Sequence, residues 1–468
     1  MCFVSNLVDR VELWDSTLRE GEQQQGVHFS IEEKKEIGSA LIENGLAQTI
    51  ELHCYIGYTS REAAELAKEF GPERVVLHHR SLTSDIDVSK DCGAPIAMYL
   101  GISDIHLATM NLTREAAIGK MENDIRYAKG QGVRVRKYTL EDATRADMAF
   151  MKEAAKKIER AGAETLCIAD TVGSAFPDGY KKMVEEIGNG LSIPILAHCH
   201  NDLGLALANC LAAYQAGIRK FNASVLGIGE RCGITRTEEL AVALGKMGLD
   251  VRTENLGDVC EMVSKFSGVR PNPHDPIVGD NAFSHKAGVH ARKILENPAA
   301  YEPYPPEKVG RSRSIILSGL SGKSNVSIKL REYGITNIPE NVLTQLTEEI
   351  RGRAYDSRYD ISDSEFEEIA SKVLKIRQDN LAKRRLIPRS TEVIVFIDVK
   401  ADRIAEVARN VRREIRESNS IAEVTGEYDL LVNVRTSSIS LADRYVDRIR
   451  AIEGVDKTLT SFVLKRWR

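Results

Sequence analysis

The feature that most constrains the fold is a regular alternation of short apolar runs and amphipathic stretches over roughly the first 250 residues. Helical patterns lie between the runs, and residues 147–162 give the clearest one, with apolar positions three and four apart and Gly162 as a C-cap. The runs that predict strands are residues 11–17, 48–53, 74–79, 96–101, 133–140, 165–171, 195–200 and 220–227. Eight strand–helix repeats predict a (β/α)8 TIM barrel rather than an open doubly wound sheet, which usually has fewer units.

The rest of the chain changes character twice. At 468 residues the chain is longer than one compact core normally holds. The barrel pattern stops near Lys265, where a segment rich in Gly, Pro, Ser and His begins, and helical pattern returns from about 339 to 384. The C-terminal part alternates β, α, β, α and β, which is typical of a small α+β ferredoxin-like domain. We therefore predict a barrel over 1–265, a connector with helical subdomains over 266–388 and a ferredoxin-like domain over 389–468.

Composition argues against several functional classes. The formal net charge is −4, whereas a dedicated nucleic-acid binder normally carries a basic face. No apolar run approaches the roughly 20 residues needed to cross a bilayer, and the first residues do not form a secretory signal. The eight cysteines are scattered without a CxxC pair, which indicates reduced thiols. We expect a cytoplasmic protein that binds neither nucleic acid nor membranes.

Polar side chains cluster at the carboxyl ends of the predicted strands, where a barrel has its catalytic mouth. One such residue could simply cap its own loop. This many on one rim predict a shared active site. The set comprises Arg19, Glu20, Glu51, His78, His79, Lys137, Thr139, Glu141, Thr171, His198, His200 and Glu230.

The strongest local signal in this set is His198-Cys199-His200. Residues i and i+2 of a strand point to the same side, so both imidazoles can face one ion. Together with a carboxylate, for which Glu20 is the candidate, they would form a two-histidine, one-acid metal site with open positions. Such a site suits a 2-oxo acid, which can chelate through its keto oxygen and carboxylate.

Six motifs resemble the isopropylmalate synthase and homocitrate synthase family. In chain order they are DSTLREGEQ (15–23), EDATR (141–145), ADTVG (169–173), HCHND (198–202), GIGERCG (227–233) and HKAGVH (285–290), and the resemblance covers roughly residues 10–325. It implies an acyltransferase that condenses acetyl-CoA with a 2-oxo acid in a Claisen-type reaction and then hydrolyses the thioester. It also implies one divalent metal ion, without distinguishing Mg, Mn, Zn or Co.

The resemblance assigns roles by position. Glu20, His198 and His200 would hold the metal ion. Arg19 would stabilise negative charge on the keto oxygen of the substrate. Thr171 would bind the carboxylate next to that keto group.

The same resemblance implies a contribution from outside the barrel. His290 in the connector would be the general base that forms the acetyl-CoA enolate, Glu141 would be a further catalytic group and Thr139 would contact the substrate. In this family the connector reaches over the barrel of the partner subunit, which implies a homodimer or a higher homo-oligomer.

Two side chains and one departure favour 2-oxoglutarate, and so the homocitrate branch at the start of the aminoadipate route to lysine. Lys137 stands where that branch typically has Arg, and a cation there could neutralise a distal carboxylate, although an ammonium cannot form the bidentate fork. His78 matches a carboxylate-binding histidine, with His79 as the fallback. Ile234 stands where isopropylmalate synthases have Asn. Lys137 could instead serve barrel packing.

Other functions remain open at this point. Within the family, the chain could be an isopropylmalate, citramalate or Re-citrate synthase. From another class, it could be an amino-acid-sensing regulatory protein with an inactive barrel, although the intact set of predicted catalytic and metal-binding residues argues against this.

The C-terminal segment TGEYDLLVNV (425–434) resembles the amino-acid-binding domain of leucine-responsive and asparagine-type transcriptional regulators. By position, Gly426, Glu427, Tyr428 and Asp429 would line an amino-acid site, and lysine is the first candidate for the effector. Alternatively, this domain only adds contacts between subunits. Feedback could also act in the barrel itself, where lysine would mimic the substrate.

Overall fold

The computed structural model describes residues 10–55, 57–286, 293, 297–383, 391–400, 403–415, 418–436 and 439–463. The chain divides into two compact units, Met1–Pro271 and Asn272–Arg468. No helix in these described segments is both long and apolar enough to cross a membrane.

The first unit is a closed barrel of eight parallel strands in the order β1 to β8, which confirms the predicted TIM barrel. The sheet closes between β8 and β1, where Trp14 lies opposite Asn222. The strands are β1 Glu12–Asp15, β2 Thr49–His53, β3 Val75–Arg80, β4 Ile96–Gly101, β5 Val135–Glu141, β6 Leu166–Asp170, β7 Ile195–Cys199 and β8 Lys220–Ala223.

Helices follow the strands, and their ends have clear chemical causes. The helix that begins at Ile31 is preceded by a capping box, in which Ser30 and Glu33 each bond the backbone N–H of the other. The helix that ends at Ala161 is followed by Gly162 with φ of 107°, where a side chain would be strained. The helices are α1 Ile31–Glu43, α2 Tyr58–Phe70, α3 Thr83–Lys90, α4 Asp104–Thr109, α5 Arg114–Gly130, α6 Met148–Ala161, α7 Pro177–Gly188, α8 Ala206–Gln215, α9 Thr237–Lys246 and α10 Leu256–Ser267.

A buried apolar layer fills the barrel interior and forms a floor for the cavity above it. Its members are Trp14, Val76, Ala97, Cys167 and Leu196, one from each of five strands, all with no exposed surface. Because alternate residues of a strand share a face, the residues two positions further along point into the space above this floor. These include the predicted site residues on β3 and β7, His78 and His198.

The second unit contains two short paired strands, a helical region and an antiparallel sheet. The short strands are β9 Ser284–His285 and β10 Ser314–Ile315. The helices are α11 Lys323–Glu332, α12 Glu340–Ser357, α13 Asp363–Leu374, α14 Gln378–Lys383, α15 Ile404–Glu414 and α16 Ile439–Arg450. The sheet strands are β11 Thr391–Val399, β12 Ser418–Glu423, β13 Leu430–Thr436 and β14 Val455–Val463.

The sheet has the order β12-β13-β11-β14 and packs α15 and α16 against one face, through a core that includes Val395, Val407 and Ile449. This arrangement confirms the predicted ferredoxin-like fold. The sequence pattern predicts one β segment between the two helices of this domain. The structure instead has two strands there, β12 and β13, separated by a turn over residues 424–429. Gly426 in this turn has φ of 142°, a conformation that side chains disfavour.

The barrel floor generates a stability prediction. Leu196→Ala should lower the free energy of unfolding by about 2–5 kcal/mol, because it leaves a cavity in a closely packed layer. Leu203→Ala is a matched control at a side chain that is 56% exposed, and it should change stability by less than about 0.5 kcal/mol. Urea unfolding of both variants checks this, and equal losses would contradict the assignment of the floor.

Candidate active site

A cavity of about 220 Å³ lies above the floor, at the carboxyl ends of the strands. Of the twelve rim residues predicted from the sequence, all but Glu51 and His79 line it: Arg19, Glu20, His78, Lys137, Thr139, Glu141, Thr171, His198, His200 and Glu230. His290 lies outside the described residues. Several further residues line this cavity that the sequence pattern does not predict for the site, including Gln23, Tyr55, Tyr99 and Arg231.

Glu20, His198 and His200 form a possible metal site. Their candidate ligand atoms all lie within 4.8 Å of one another, and all three residues are buried. The Nε2 atoms of the two histidines are 3.4 Å apart, and His200 Nε2 lies 3.9 Å from Glu20 Oε1. The i, i+2 spacing on β7 and in the following residue therefore brings both imidazoles to one point, as predicted. The backbone N–H of Glu230 donates to the same Glu20 oxygen at 3.3 Å.

The protonation states of this trio suit a divalent cation. Burial lowers the pKa of His198 to about 3, and burial also lowers that of His200, so both imidazoles are neutral at pH 7. Burial alone would raise the pKa of Glu20, but Arg19 and the histidines bring it down to about 2. Nδ1 of His198 lies 3.3 Å from the side-chain oxygen of Asn222, which leaves Nε2 for an ion. Two neutral nitrogen ligands and one carboxylate thus fit the metal that the sequence predicts.

Glu51 connects the metal trio to the rest of the site. Its side chain is fully buried and accepts hydrogen bonds from Ser16 Oγ at 2.8 Å, Arg19 Nε at 2.8 Å and Asn222 Nδ2 at 3.0 Å, and from the Lys137 ammonium. Burial raises the pKa of this carboxyl, yet Lys137 and Arg19 hold it well below its usual value. Glu51 is therefore an ionised acceptor shared by two cations. Sequence reasoning placed Glu51 on the rim without giving it this role, and it missed Asn222.

Arg19 lies between two carboxylates. Its Nη1 donates to Glu20 and its Nε to Glu51, both at 2.8 Å, and the side chain is 6% exposed. Nε2 of His53 lies 3.0 Å from the backbone carbonyl oxygen of Arg19, and this hydrogen bond holds the backbone of the loop that follows β1. The guanidinium is thus held by two ion pairs beside the possible metal site.

The opposite wall of the cavity contains His78. Of the neighbouring pair His78 and His79, it is His78 that faces the cavity. His78 lines the cavity and stacks on Tyr99, with ring centroids 5.1 Å apart and an interplanar angle of 16°. His79 points the other way and hydrogen-bonds Ser89 of α3. Burial, together with Arg19 and Lys137, holds the pKa of His78 well below its usual value, so its ring is neutral.

Lys137 lines the cavity as a cation that is already paired inside the barrel. Its ammonium pairs with Glu51 and lies 3.4 Å from the side-chain oxygen of Asn222, and the residue is only 1% exposed. The neighbouring cation, Arg136, does not replace Lys137 in the cavity. The pairing of β4 with β5 shifts register beside Arg136, and this residue has no partner position on β4. Its guanidinium lies 5.1 Å from the centre of the Trp14 ring, beneath the floor, and does not line the cavity.

Hydroxyl groups and charged side chains complete the rim. Thr171 Oγ1 accepts from the backbone N–H of Asp142 at 2.8 Å, so its own hydrogen is available to a ligand. Thr139 Oγ1 is buried and has no hydrogen-bond partner among the described residues. Burial raises the pKa of Glu141. Arg231 donates to the backbone carbonyl of Thr171 at 2.6 Å, and its φ of 56° is strained for a side chain of this size.

The predicted regulatory residues lie in the second unit, in the turn between β12 and β13. The Asp429 carboxylate accepts from the backbone N–H of Val399 at 2.8 Å, so part of its capacity serves the fold. Glu427 pairs with Lys457 at 3.3 Å on the surface, and Tyr428 lies between that lysine and Phe396.

Comparison with known protein families agrees with this architecture. Residues 10–264 match the HMGL-like family, residues 277–359 match the homocitrate synthase post-HMGL domain-like family and residues 392–468 match the Lrp/AsnC ligand binding domain. Among solved structures, HMG-CoA lyase from Bacillus subtilis aligns with 56% of this chain and 94% of its own, with a TM-score of 0.50 and 19% identity. At that identity the likeness shows the fold alone.

Curated relatives match almost the whole chain. Homocitrate synthase from Sulfolobus acidocaldarius is 35% identical over 470 residues, which cover 98% of both chains. Homocitrate synthase from Sulfurisphaera tokodaii is 35% identical over 473 residues, which cover 98% of this chain and 100% of the relative.

The fold and the site thus define a barrel enzyme of the HMGL-like class. More particularly, the chain belongs to the homocitrate synthase family, whose curated members it matches over 98% of its length at 35% identity. The family membership and the condensing acyltransferase class that the sequence predicted are both confirmed.

The metal trio generates a binding prediction. The wild-type chain should bind one Mn²⁺, and His198→Ala should abolish both binding and metal-dependent turnover, because a ligand is lost. Asn222→Ala should weaken binding about 10–100-fold, since it releases the ring of His198. Equilibrium dialysis with Mn²⁺ measures both effects. His28→Ala, at a side chain that is 81% exposed, is the control. Wild-type affinity in the His198 variant would refute the metal assignment.

Proposed function

We propose that the chain condenses acetyl-CoA with 2-oxoglutarate to give homocitrate and CoA, the first step of the aminoadipate route to lysine. The observation that carries this proposal is the full-length similarity to homocitrate synthases, combined with a cavity that has a possible metal site on one wall and His78 and Lys137 on the other. One small dicarboxylic 2-oxo acid would lie between the two walls.

The residues around the reacting end of the substrate have separate tasks. Glu20, His198 and His200 would hold one divalent ion, and their donor set suits Mg, Mn, Zn or Co. When bound, such an ion polarises the keto carbonyl of a 2-oxo acid. Arg19, fixed by Glu20 and Glu51, donates to the keto oxygen as negative charge develops on it. The free hydroxyl hydrogen of Thr171 binds the adjacent carboxylate.

Charge balance supports a dicarboxylic substrate. Four buried charged side chains form one ion-paired group at the cavity, namely Arg19, Lys137, Glu20 and Glu51, and together they carry no net charge. One divalent ion would add two positive charges, and the two carboxylates of 2-oxoglutarate would neutralise both. A monocarboxylic 2-oxo acid would leave one buried charge uncompensated, which is costly away from water.

Acetyl-CoA activation is assigned through the family resemblance. His290 serves as the general base that forms the enolate, and Glu141, whose pKa burial raises, is a second proton-transfer group beside the cavity. Thr139 contacts the substrate.

We propose that residues 1–265 form the catalytic domain and that residues 266–388 cover the active site of a partner subunit in a homodimer or larger homo-oligomer.

The competing functions differ in their second substrate. Isopropylmalate, citramalate and Re-citrate synthases use 2-oxoisovalerate, pyruvate and oxaloacetate, respectively. A sensor with an inactive barrel would release no thiol from acetyl-CoA. Thiol release measured with each 2-oxo acid separates these cases, and the proposal expects the highest kcat/KM with 2-oxoglutarate. The scattered cysteines of the sequence, which contain no CxxC pair, support the cytoplasm as the location of the enzyme.

Lys137 provides a test of substrate selection. Lys137→Ala should lower kcat/KM for 2-oxoglutarate by a factor that corresponds to a loss of about 1.5–3 kcal/mol, because a charge-assisted bond at a desolvated site is lost. Use of 2-oxoisovalerate should fall much less. Lys137→Arg keeps the charge opposite Glu51 and is the matched control. Steady-state kinetics with both substrates decide the question, and equal losses on the two would refute the selectivity.

The C-terminal domain is proposed to sense an amino acid, with lysine as the first candidate. It matches a ligand-binding domain. Residues 424–429 offer a glycine-containing backbone turn for a carboxylate, and Glu427 and Asp429 offer negative charge for an ammonium group. Binding would shift the equilibrium between more and less active forms of the barrel. The alternative is that the domain, residues 389–468, only supplies contacts between subunits.

Inhibition by lysine distinguishes these roles. Glu427→Ala in the full-length enzyme should raise the lysine concentration for half-inhibition about tenfold, because a charge-assisted partner of the ammonium is lost. Glu453→Ala removes another exposed, ion-paired glutamate of the same domain and should leave inhibition unchanged. A truncation that lacks residues 389–468 should lose the response. If the truncated enzyme stays dimeric and is inhibited at an unchanged lysine concentration, the sensing role is wrong.

A further inference from the structure

Tyr99 on β4 is a cavity residue without an assigned role. Its ring lies parallel to that of His78, with centroids 5.1 Å apart and an interplanar angle of 16°. The Ser81 hydroxyl donates to the Tyr99 backbone carbonyl at 2.9 Å, which fixes the strand at this point. Burial raises the pKa of Tyr99 to about 12, so the phenol is neutral at pH 7.

The ring of His78 lacks the side-chain hydrogen bond that orients two other buried histidines among the described residues. The rings of His198 and His79 are oriented by the hydrogen-bonding side chains of Asn222 and Ser89, respectively. Nδ1 of His78 is buried and has no hydrogen-bond partner among the described residues. Within this part of the chain, the flat face of an aromatic neighbour is therefore the contact that sets the plane of the His78 ring.

The other ring nitrogen is the one that can meet a ligand. A buried polar atom without a partner is costly. Nδ1 is buried even from the cavity, so the tautomer with hydrogen on Nε2 is favoured, and Nε2 is the nitrogen left to face a molecule in the cavity that His78 lines. His78 is 7% exposed, and the buried Lys137 lines the same cavity. A neutral imidazole with a fixed plane can present one N–H to a carboxylate oxygen, while Lys137 supplies positive charge.

We propose that Tyr99 is a positioning residue that sets specificity for 2-oxo acids with a second carboxylate, by holding the His78 ring in the plane in which its N–H meets that carboxylate. The inference rests on 2-oxoglutarate being the substrate. It adds to that proposal a residue which acts through His78 rather than by touching the reacting atoms.

The test uses the full-length enzyme with Tyr99→Leu and Tyr99→Phe. Leucine fills much of the space but has no flat face, so KM for 2-oxoglutarate should rise about tenfold, with kcat within about twofold of wild type. KM or Ki for 2-oxobutanoate, which has the same reacting end without the second carboxylate, should stay within about twofold. Phenylalanine keeps the stack, and Tyr99→Phe should restore near-wild-type values for both. Circular dichroism and thermal unfolding verify that the variants are folded.

A double-mutant cycle with His78→Ala gives a readout that a general loss of packing would not produce. If Tyr99 acts through His78, Tyr99→Leu should have little further effect on KM for 2-oxoglutarate once His78 is alanine. Tyr55→Leu removes another aromatic ring that lines the cavity and should show full additivity with His78→Ala. Additive effects of the Tyr99 and His78 changes would overturn the inference, as would a Tyr99→Phe variant as impaired as Tyr99→Leu.

The same measurements separate this inference from the proposed function. A wild-type enzyme that does not turn over 2-oxoglutarate refutes the proposed substrate. A wild-type enzyme that uses 2-oxoglutarate, together with a Tyr99→Leu variant whose KM is unchanged, refutes only the role of Tyr99.

Discussion

Glu51 accepts hydrogen bonds from four side chains inside the barrel, and the arrangement of the site depends on this carboxylate. Two of its partners, Arg19 and Lys137, are cations with almost no exposed surface. Burying an unpaired charge is so unfavourable that removing one member of such a group typically costs about 3–5 kcal/mol. Glu51 therefore fixes Arg19 beside the possible metal site and Lys137 beside the opposite wall at the same time. It also binds Asn222, which in turn orients His198.

The sequence alone could predict what depends on local periodicity. Alternation along β7 placed His198 and His200 on one face, and the ends of eight strands placed Arg19, Glu20 and Thr171 around one mouth. The observed strands agree with the predicted runs to within a few residues, because a buried parallel strand needs a short apolar run with clear ends. Motifs then linked these positions to a family.

What the sequence could not supply were the pairings across the barrel. Glu51 and Lys137 are 86 positions apart, and only the closed sheet brings them together. The register shift between β4 and β5 sends Arg136 beneath the floor, which simple strand alternation does not predict. Tyr99 was missed because an aromatic residue in a buried strand is typical of a core. Its stacking on His78 becomes evident only when neighbouring strands are placed side by side.

The same buried charges bear on where the proposed effector, lysine, would bind. Lysine carries an ammonium at the end of its carbon chain, where 2-oxoglutarate carries a carboxylate. On the wall that contains His78 and Lys137, that ammonium would meet a cation and a neutral imidazole, and the nearby Glu51 is already shared by two cations. A wall suited to the proposed substrate's carboxylate would thus disfavour the ammonium of lysine. The exposed turn that contains Glu427 is free of this conflict, because its acidic groups do not have to serve a substrate. Placing the proposed sensor in a separate domain lets the cavity keep its positive charge while the enzyme still responds to an amino acid.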